Sequence, residues 1–366
     1  MKKFQQILTL ALSLGFLAVF SAWFLIAPDA EESTVERRRL AKRPALSFSS
    51  VTNGSFMNGF EKYMLDQFPL RNGFRGLNAT VSAKVFMKKD NNGLYSVGEH
   101  LSKLDFPTDS ESVDHAARRF RYVYDTYLRN AGTKTYLSVI PDKNTFIASQ
   151  NGYPDKDYKA LTERLRSGFP EAKYIDISGL LSADDFYYTD SHWRQERITK
   201  VADEIAAQMG AERIGTCEIQ DTGRPFYGVY YGQAALPHAP ERLFYLDNAV
   251  IRGLQVYNVE TQSDIPVYDL GAAAGRDPYE MFLGGARSII KITNPNAAQE
   301  RRLIVFRDSF GSSIAPLLAA GYSEITLVDI RYISPLSLGK LIDFTKADDV
   351  LFLYSASVIN NSETIK

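Results

Sequence analysis

Only one cysteine, Cys217, stands in the 366 residues. A single thiol excludes an intramolecular disulfide and any cysteine-based metal cluster. Histidine is nearly as scarce, with His100, His115, His192 and His238 making up the full set. Few positions can therefore carry imidazole chemistry. An excess of one charge is also missing: 42 Lys and Arg against 43 Asp and Glu leave a formal net charge of −1. That balance argues against a nucleic-acid partner. Aromatic residues, by contrast, make up 12% of the chain, which fits either sugar-stacking surfaces or an aromatic-rich β core.

Charge is absent altogether from Ile7 to Ala27, 21 positions that follow Lys2 and Lys3. At about 1.5 Å per residue the run measures ~31 Å, close to the ~30 Å hydrocarbon core of a bilayer. A cleaved signal peptide has a shorter apolar region, about 7–15 residues, and an A-x-A-like exit. Here the exit is 27-APDAEE-32, with Pro28 where a small residue belongs. An uncleaved anchor over residues 1–30 is the expectation. Lys2 and Lys3 favour an inside N-terminus, while Arg37, Arg38, Arg39, Lys42 and Arg43 pull the other way from beyond Glu31, Glu32 and Glu36. Long soluble domains are exported largely regardless of such charge. The expected location is the cell membrane, single-pass, with the C-terminal body extracellular or periplasmic.

Residues 31–58 read as a polar, Ser-rich and basic stalk, and residues 59–366 as one folded domain. From Val113 to Leu128 apolar residues recur at helical spacing, and Gly132 closes the pattern. The β-rich run 135-TYLSVIP-141 follows, then 174-YIDIS-178, then a second amphipathic helix from Ile198 to Met209 stopped by Gly210. Residues 215–300 lose the helical period and read as a β-rich insertion of short strands. The rhythm then resumes with strand 302–306, a helix near 312–320, strand 325–330, a helix over 335–344 and strand 349–355. Alternating helices and strands predict a layered α/β domain.

Two stretches could carry chemistry. In 303-LIVFRDSFGSS-313 a buried strand ends, two polar residues follow and a small-residue helix opens. Ligand and catalytic groups in open α/β sheets gather just beyond the carboxyl ends of strands. Ser309 is thus a candidate nucleophile. A plainer reading makes Asp308 or Ser309 a helix cap. The second stretch is 187-YYTDSHWRQE-196. A serine hydroxyl needs a base to take its proton, and a carboxylate on the other ring nitrogen sets the tautomer of that base. His192 and Asp190 can supply that pair from one loop; alternatively, Asp190 only caps the helix beginning near Trp193. No second histidine stands at ligand spacing, so neither a metal nor another cofactor is expected.

Further segments carry a family resemblance. The chain has 36-ERRRLAKRP-44, 63-YMLDQFPLRNGF-74, 93-GLYSVGEHL-101, the DSHW tetrad, 307-RDSF-310 and 325-ITLVDIRY-332, in that order. Together they resemble the DHHW family of bacterial exported proteins, relatives of the alginate O-acetyltransferase proteins AlgJ and AlgX. The resemblance covers most of residues 36–355. It implies an SGNH-hydrolase-like domain, so that with the readings above the expected fold is a three-layer SGNH-hydrolase-like α/β domain with a β-rich insertion, preceded by one transmembrane helix. It also implies Ser309 as nucleophile, His192 as base and Asp190 as its orienting carboxylate. Where relatives often show Gly-Gly-Asn, this chain has Gly284, Gly285 and Ala286. The two glycines are candidates for the oxyanion or substrate region, and Ala286 supplies no side-chain donor. Arg331 is a candidate for contacting an anionic group, or else a salt-bridge partner of Asp329 or Asp308. Tyr188 and Trp193 could stack on a sugar face or pack the loop.

The function implied is O-acyl transfer, with acetyl as the expected group, to a cell-surface polysaccharide acceptor. The implied partner is a multi-pass membrane-bound O-acyltransferase that delivers the acyl group. Two alternatives stand beside it. One is a carbohydrate esterase using the same triad, and the other a catalytically silent glycan-binding or assembly protein of the cell envelope.

Overall fold

The computed structural model describes residues 2–366; Met1, the first residue of the anchor reading, lies outside them. Two compact units form, one of residues up to Asn92 with Tyr231–Pro237, the other of Gly93–Tyr230 with His238–Lys366.

In the first unit, helix α1 (Lys2–Ile26) buries none of its residues and is long and apolar enough to cross a membrane. Beyond it come helices α2 (Ser55–Gln67) and α3 (Arg71–Lys84), joined by a tight turn in which Leu70 takes φ 57°. The chain leaving α1 is tied to α2. Tyr63 Oη donates to Asp29 at 2.7 Å, and the Gln67 side-chain amide exchanges two 2.9 Å hydrogen bonds with Ala30. Residues 31–58 include a short antiparallel pairing of Glu32–Ser33 with Arg38–Arg39. Glu36 pairs with Arg38, Arg71 and Arg75, while Asp66 pairs with Arg38 and Arg71.

The second unit is built on one eight-stranded sheet. Its strands in chain order are β1 (Lys134–Ile140), β2 (Lys173–Tyr174), β3 (Gln255–Asn258), β4 (Ser263–Ile265), β5 (Ile289–Thr293), β6 (Arg302–Arg307), β7 (Glu324–Val328) and β8 (Asp349–Ser355). They lie in the order β4-β3-β5-β7-β6-β8-β1-β2. The five strands from β7 to β2 run parallel, and β5, β3 and β4 extend one edge antiparallel.

Parallel strands covered on both faces need apolar residues in both alternating sets, and 303-LIVF-306 supplies them. Leu303 and Val305 enter one core with helices α6 (Thr199–Met209) and α7 (Gly311–Leu318). Ile304 and Phe306 enter the other with α4 (Ser110–Val123) and α5 (Tyr158–Gly168). The expected α/β class, with one apolar helix ahead of it, is therefore the observed one. Asp109 caps α4, accepting from the amides of Glu111 and Ser112.

Two local expectations differ. Residues 335–344 form no α-helix but a 3-10 segment, Pro335–Lys340. Gly339 sits against the Tyr127 ring there, and a Cβ would approach it to 2.9 Å. Within 215–300, strands β3, β4 and β5 are part of the main sheet, while Glu218–Phe226 and Glu241–Asp247 form a separate antiparallel ribbon. The helices in that stretch, Val229–Ala234 and Ala249–Gly253, are too short to show a period in the sequence.

Candidate active site

Strand β6 ends at Arg307 and α7 begins at Gly311, so the turn between them must be tight. Gly311 permits it, since a Cβ there would lie 2.6 Å from that of Arg307. Asp308 is fully buried and braces the turn, its carboxylate accepting the Phe310 N–H at 3.0 Å and the Ser355 N–H at 2.8 Å. Asp308 thus holds the turn ahead of α7, whose N-cap position is Phe310 and which no side chain caps. The Ser309 hydroxyl is left at the carboxyl edge of the sheet, where it meets His192.

His192 comes from a loop closed by an antiparallel bridge between Phe186 and Trp193. His192 Nε2 lies 2.7 Å from Ser309 Oγ, across 117 residues of chain. His192 Nδ1 lies 2.7 Å from Asp190 Oδ1. A carboxylate only accepts, so Nδ1 carries the proton and Nε2 is left to accept from the serine hydroxyl. Asp190 is fully buried; the same oxygen takes the His192 N–H at 3.1 Å and its second oxygen takes the Val229 N–H at 2.8 Å.

Other groups hold this loop, and sequence reasoning missed them. Lys143, just past the end of β1, is 2% exposed. Its ammonium donates to the carbonyls of Tyr187, Tyr188 and Asp190 at 2.8–2.9 Å. Burial pushes it down to about 7, opposed by Glu241 and Asp190. Glu241 accepts the amides of Tyr188 and Thr189 and pairs with Arg194 at 2.6 Å. Gly228 crosses the loop so closely that a Cβ would lie 2.2 Å from the Thr189 carbonyl. Tyr279 stacks on the His192 ring and donates to Ser313 Oγ at 2.8 Å. The location of Lys143 after a sheet strand was a usable signal; nothing in the sequence around Tyr279 marks it.

The remaining candidates fall out as follows. Trp193 is wholly buried, its indole donating to Ser313 Oγ at 2.8 Å, so it packs the loop and offers no face to a sugar. Tyr188 lies against His100 edge-on, with the Arg194 guanidinium over its ring at 4.7 Å. Arg331 makes a two-pronged pair with Asp329, at 2.9 and 2.7 Å, the salt-bridge alternative. Gly284 and Gly285 follow Leu283 in a run of left-handed residues, φ 53°, 70° and 75°. The Gly285 amide donates to the Phe282 carbonyl at 3.1 Å, so it is not a free oxyanion donor. Among the described residues, no three His, Cys, Asp or Glu side chains converge on a metal site.

No family model matches the chain, and no curated protein does. Solved structures do. A DHHW family protein from Eubacterium siraeum superposes with a TM-score of 0.60 at 19% identity, over 75% of this chain and 95% of its own. The chain shares its fold with that protein. PatB1 of Bacillus cereus, in a structure with a sulfonyl adduct, gives 0.58 at 17% identity, over 73% and 97%. The O-acetyltransferase domain of Pseudomonas putida AlgJ gives 0.47 at 14% identity, over 73% and 92%. The DHHW likeness read in the sequence motifs thus has a counterpart in the first of these structures, and at 19% identity it is a likeness of fold.

Proposed function

We propose that this chain is an exported, membrane-anchored O-acyltransferase, transferring acetyl to a cell-surface polysaccharide through Ser309, His192 and Asp190. The observation that carries the reading is the pair of 2.7 Å contacts on opposite nitrogens of one imidazole, to Ser309 and to Asp190. Ser309 Oγ attacks the carbonyl of a donor ester as His192 Nε2 takes its proton. The donor alcohol leaves with that proton, and an acyl-serine remains. A sugar hydroxyl then gives its proton to His192, takes the acyl group and restores the serine. Asp190 stabilises the imidazolium in both halves. The resemblance in the motifs adds the multi-pass membrane-bound acyltransferase as donor partner, and the apolar α1 suits a protein working beside it. An esterase would use water in place of the sugar.

One observation favours a second reading, a silent glycan-binding module. The Gly285 amide is already engaged and Ala286 has no side-chain donor, and one missing oxyanion donor costs roughly a hundredfold or more in rate. The test uses the full chain in nanodiscs with a chromogenic acetyl ester and, separately, a sulfonyl fluoride. Under the enzymatic reading the native protein turns over ester and is sulfonylated at Ser309 by peptide mass, while Ser309→Ala and His192→Ala abolish both. Folded native protein that neither hydrolyses the ester nor reacts at Ser309 would sink that reading in favour of the binding module.

A further inference from the structure

We infer that the α2–α3 hairpin of the N-terminal unit is itself a membrane-surface element, its Phe68–Leu70 turn and adjoining apolar side chains embedded in the leaflet from which α1 emerges. The inference rests on the reading of α1 as a membrane span.

Depth is what the geometry supplies. Phe20 lies six residues before Ile26, the last residue of α1, about 9 Å back along the helix axis. The rings of Phe68 and Phe74 pack directly on it, at centroid distances of 5.5 and 5.6 Å. They also contact each other at 5.6 Å. One turn nearer the exit, Phe24 meets Tyr63 at 5.4 Å. If Phe20 is in the hydrocarbon, its two aromatic neighbours are there too.

The hairpin surface suits that medium. Leu65 is 65% exposed, Leu70 60%, Leu77 60% and Phe86 68%, a concentration of large apolar side chains that soluble surfaces rarely carry. Charges nearest the turn are matched: Arg71 pairs with Glu36 at 2.5 Å and with Asp66, which lowers their cost near lipid. Lys84 and Lys88 flank Phe86 in the chain and are exposed, the arrangement that meets anionic headgroups. Lipid is the occupant that fits, because the contacts to α1 set the depth whatever protein lies nearby. The hydrogen bonds from Tyr63 and Gln67 to Asp29 and Ala30 keep the hairpin against the span, so the chain leaving the membrane is clamped instead of trailing as a slack tether.

The experiment places one fluorophore at a time on the full chain in a Cys217→Ser background, at Leu70→Cys, Leu77→Cys or Phe86→Cys, with Leu14→Cys inside α1 as reference. Proteins are reconstituted in phosphatidylcholine–phosphatidylglycerol nanodiscs with nitroxides on the acyl chains or iodide in the buffer. The expected result is loss of emission to acyl-chain nitroxide and protection from iodide at all three hairpin positions. Quenching by iodide alone, with Leu14→Cys still quenched by nitroxide, overturns the proposal and leaves the span intact. Protection from both quenchers also overturns it, pointing to a protein contact such as a second copy. Loss of nitroxide quenching at Leu14→Cys as well removes the span reading and the proposal together.

Discussion

The Tyr279 ring lies flat against the His192 imidazole, with centroids 3.9 Å apart and planes 12° from parallel. The candidate base is therefore held on three sides: by Asp190 at one nitrogen, by Ser309 at the other and by an aromatic face. Tyr279 is itself fastened, since its hydroxyl donates to Ser313 Oγ, which also takes the Trp193 indole N–H. Burial pushes the phenol well above its ordinary range, so it stays a donor. Tyr279→Phe keeps the stack and loses one hydrogen bond, an expected cost of about 1 kcal/mol with kcat nearly unchanged. Tyr279→Ala frees the imidazole and leaves a cavity, an expected cost of roughly 3–5 kcal/mol. Thermal unfolding beside ester turnover checks the pair. A kcat that falls equally in both variants would show that the hydroxyl, and not the ring face, matters.

Three N–H groups point at Asp190: His192 Nδ1 and the His192 amide at one oxygen, with the Ser191 hydroxyl 3.4 Å from the same atom, and the Val229 amide at the other. An amide in its place sets an NH2 against an N–H whichever way it is turned, unless the imidazole gives up its Nδ1 proton. Asp190→Asn should flip the His192 tautomer, presenting an N–H to Ser309 in place of a lone pair. The expected loss in kcat is roughly 10⁴-fold, with the fold retained by circular dichroism. Turnover within tenfold of native would mean that Asp190 only braces the loop.

Much of this arrangement is written in local patterns, and some of it is not. The strand and turn around Ser309 are legible because both faces of β6 are buried, giving an unbroken apolar run that stops at two polar residues. His192 and Asp190 are legible because they sit two residues apart. Their encounter with Ser309 is not, since it depends on how a loop and a strand end are brought together across 117 residues. Tyr279 and Glu241 lie in a stretch of short elements whose side chains act at long range, so neither period nor motif marks them. The two Gly-Gly positions show the opposite failure. A motif suggested an open amide, yet the left-handed turn at Leu283–Gly285 directs the Gly285 N–H back to Phe282.

Gly228 is the point where the Val229 amide reaches Asp190. A methyl there would lie 2.2 Å from the Thr189 carbonyl and 2.4 Å from Asp190 Cβ, and both belong to the loop that carries His192. Gly228→Ala must push the two segments apart, with an expected loss of about 1–3 kcal/mol from overpacking. Because the displaced contact is Val229 to Asp190, kcat should drop as well, while Gly179→Ala, where nothing lies within 4 Å and the backbone is not left-handed, should leave kcat alone. Matching melting temperatures and matching kcat for Gly228→Ala and the native chain would contradict the close crossing.

Lys143 gives a pH signature. Its ammonium spends one N–H on each of three carbonyls, Tyr187, Tyr188 and Asp190, and burial pushes it down to about 7. In the unfolded chain the same lysine holds its proton to about 10.4. Between those values the unfolded state binds more protons, so stability rises with pH as the cost of the buried charge is relieved. Below about pH 7 both states are protonated and that cost is fully present. Lys143→Met removes the titration. The difference in stability between native and variant should therefore shift in favour of the native chain from pH 7 to pH 10, by denaturant unfolding at each pH. Over the same window the neutral amine keeps only two N–H donors for three carbonyls, so native ester turnover should fall as the loop carrying His192 loosens. A stability difference that stays flat across the window would mean that the three carbonyls hold the proton in place.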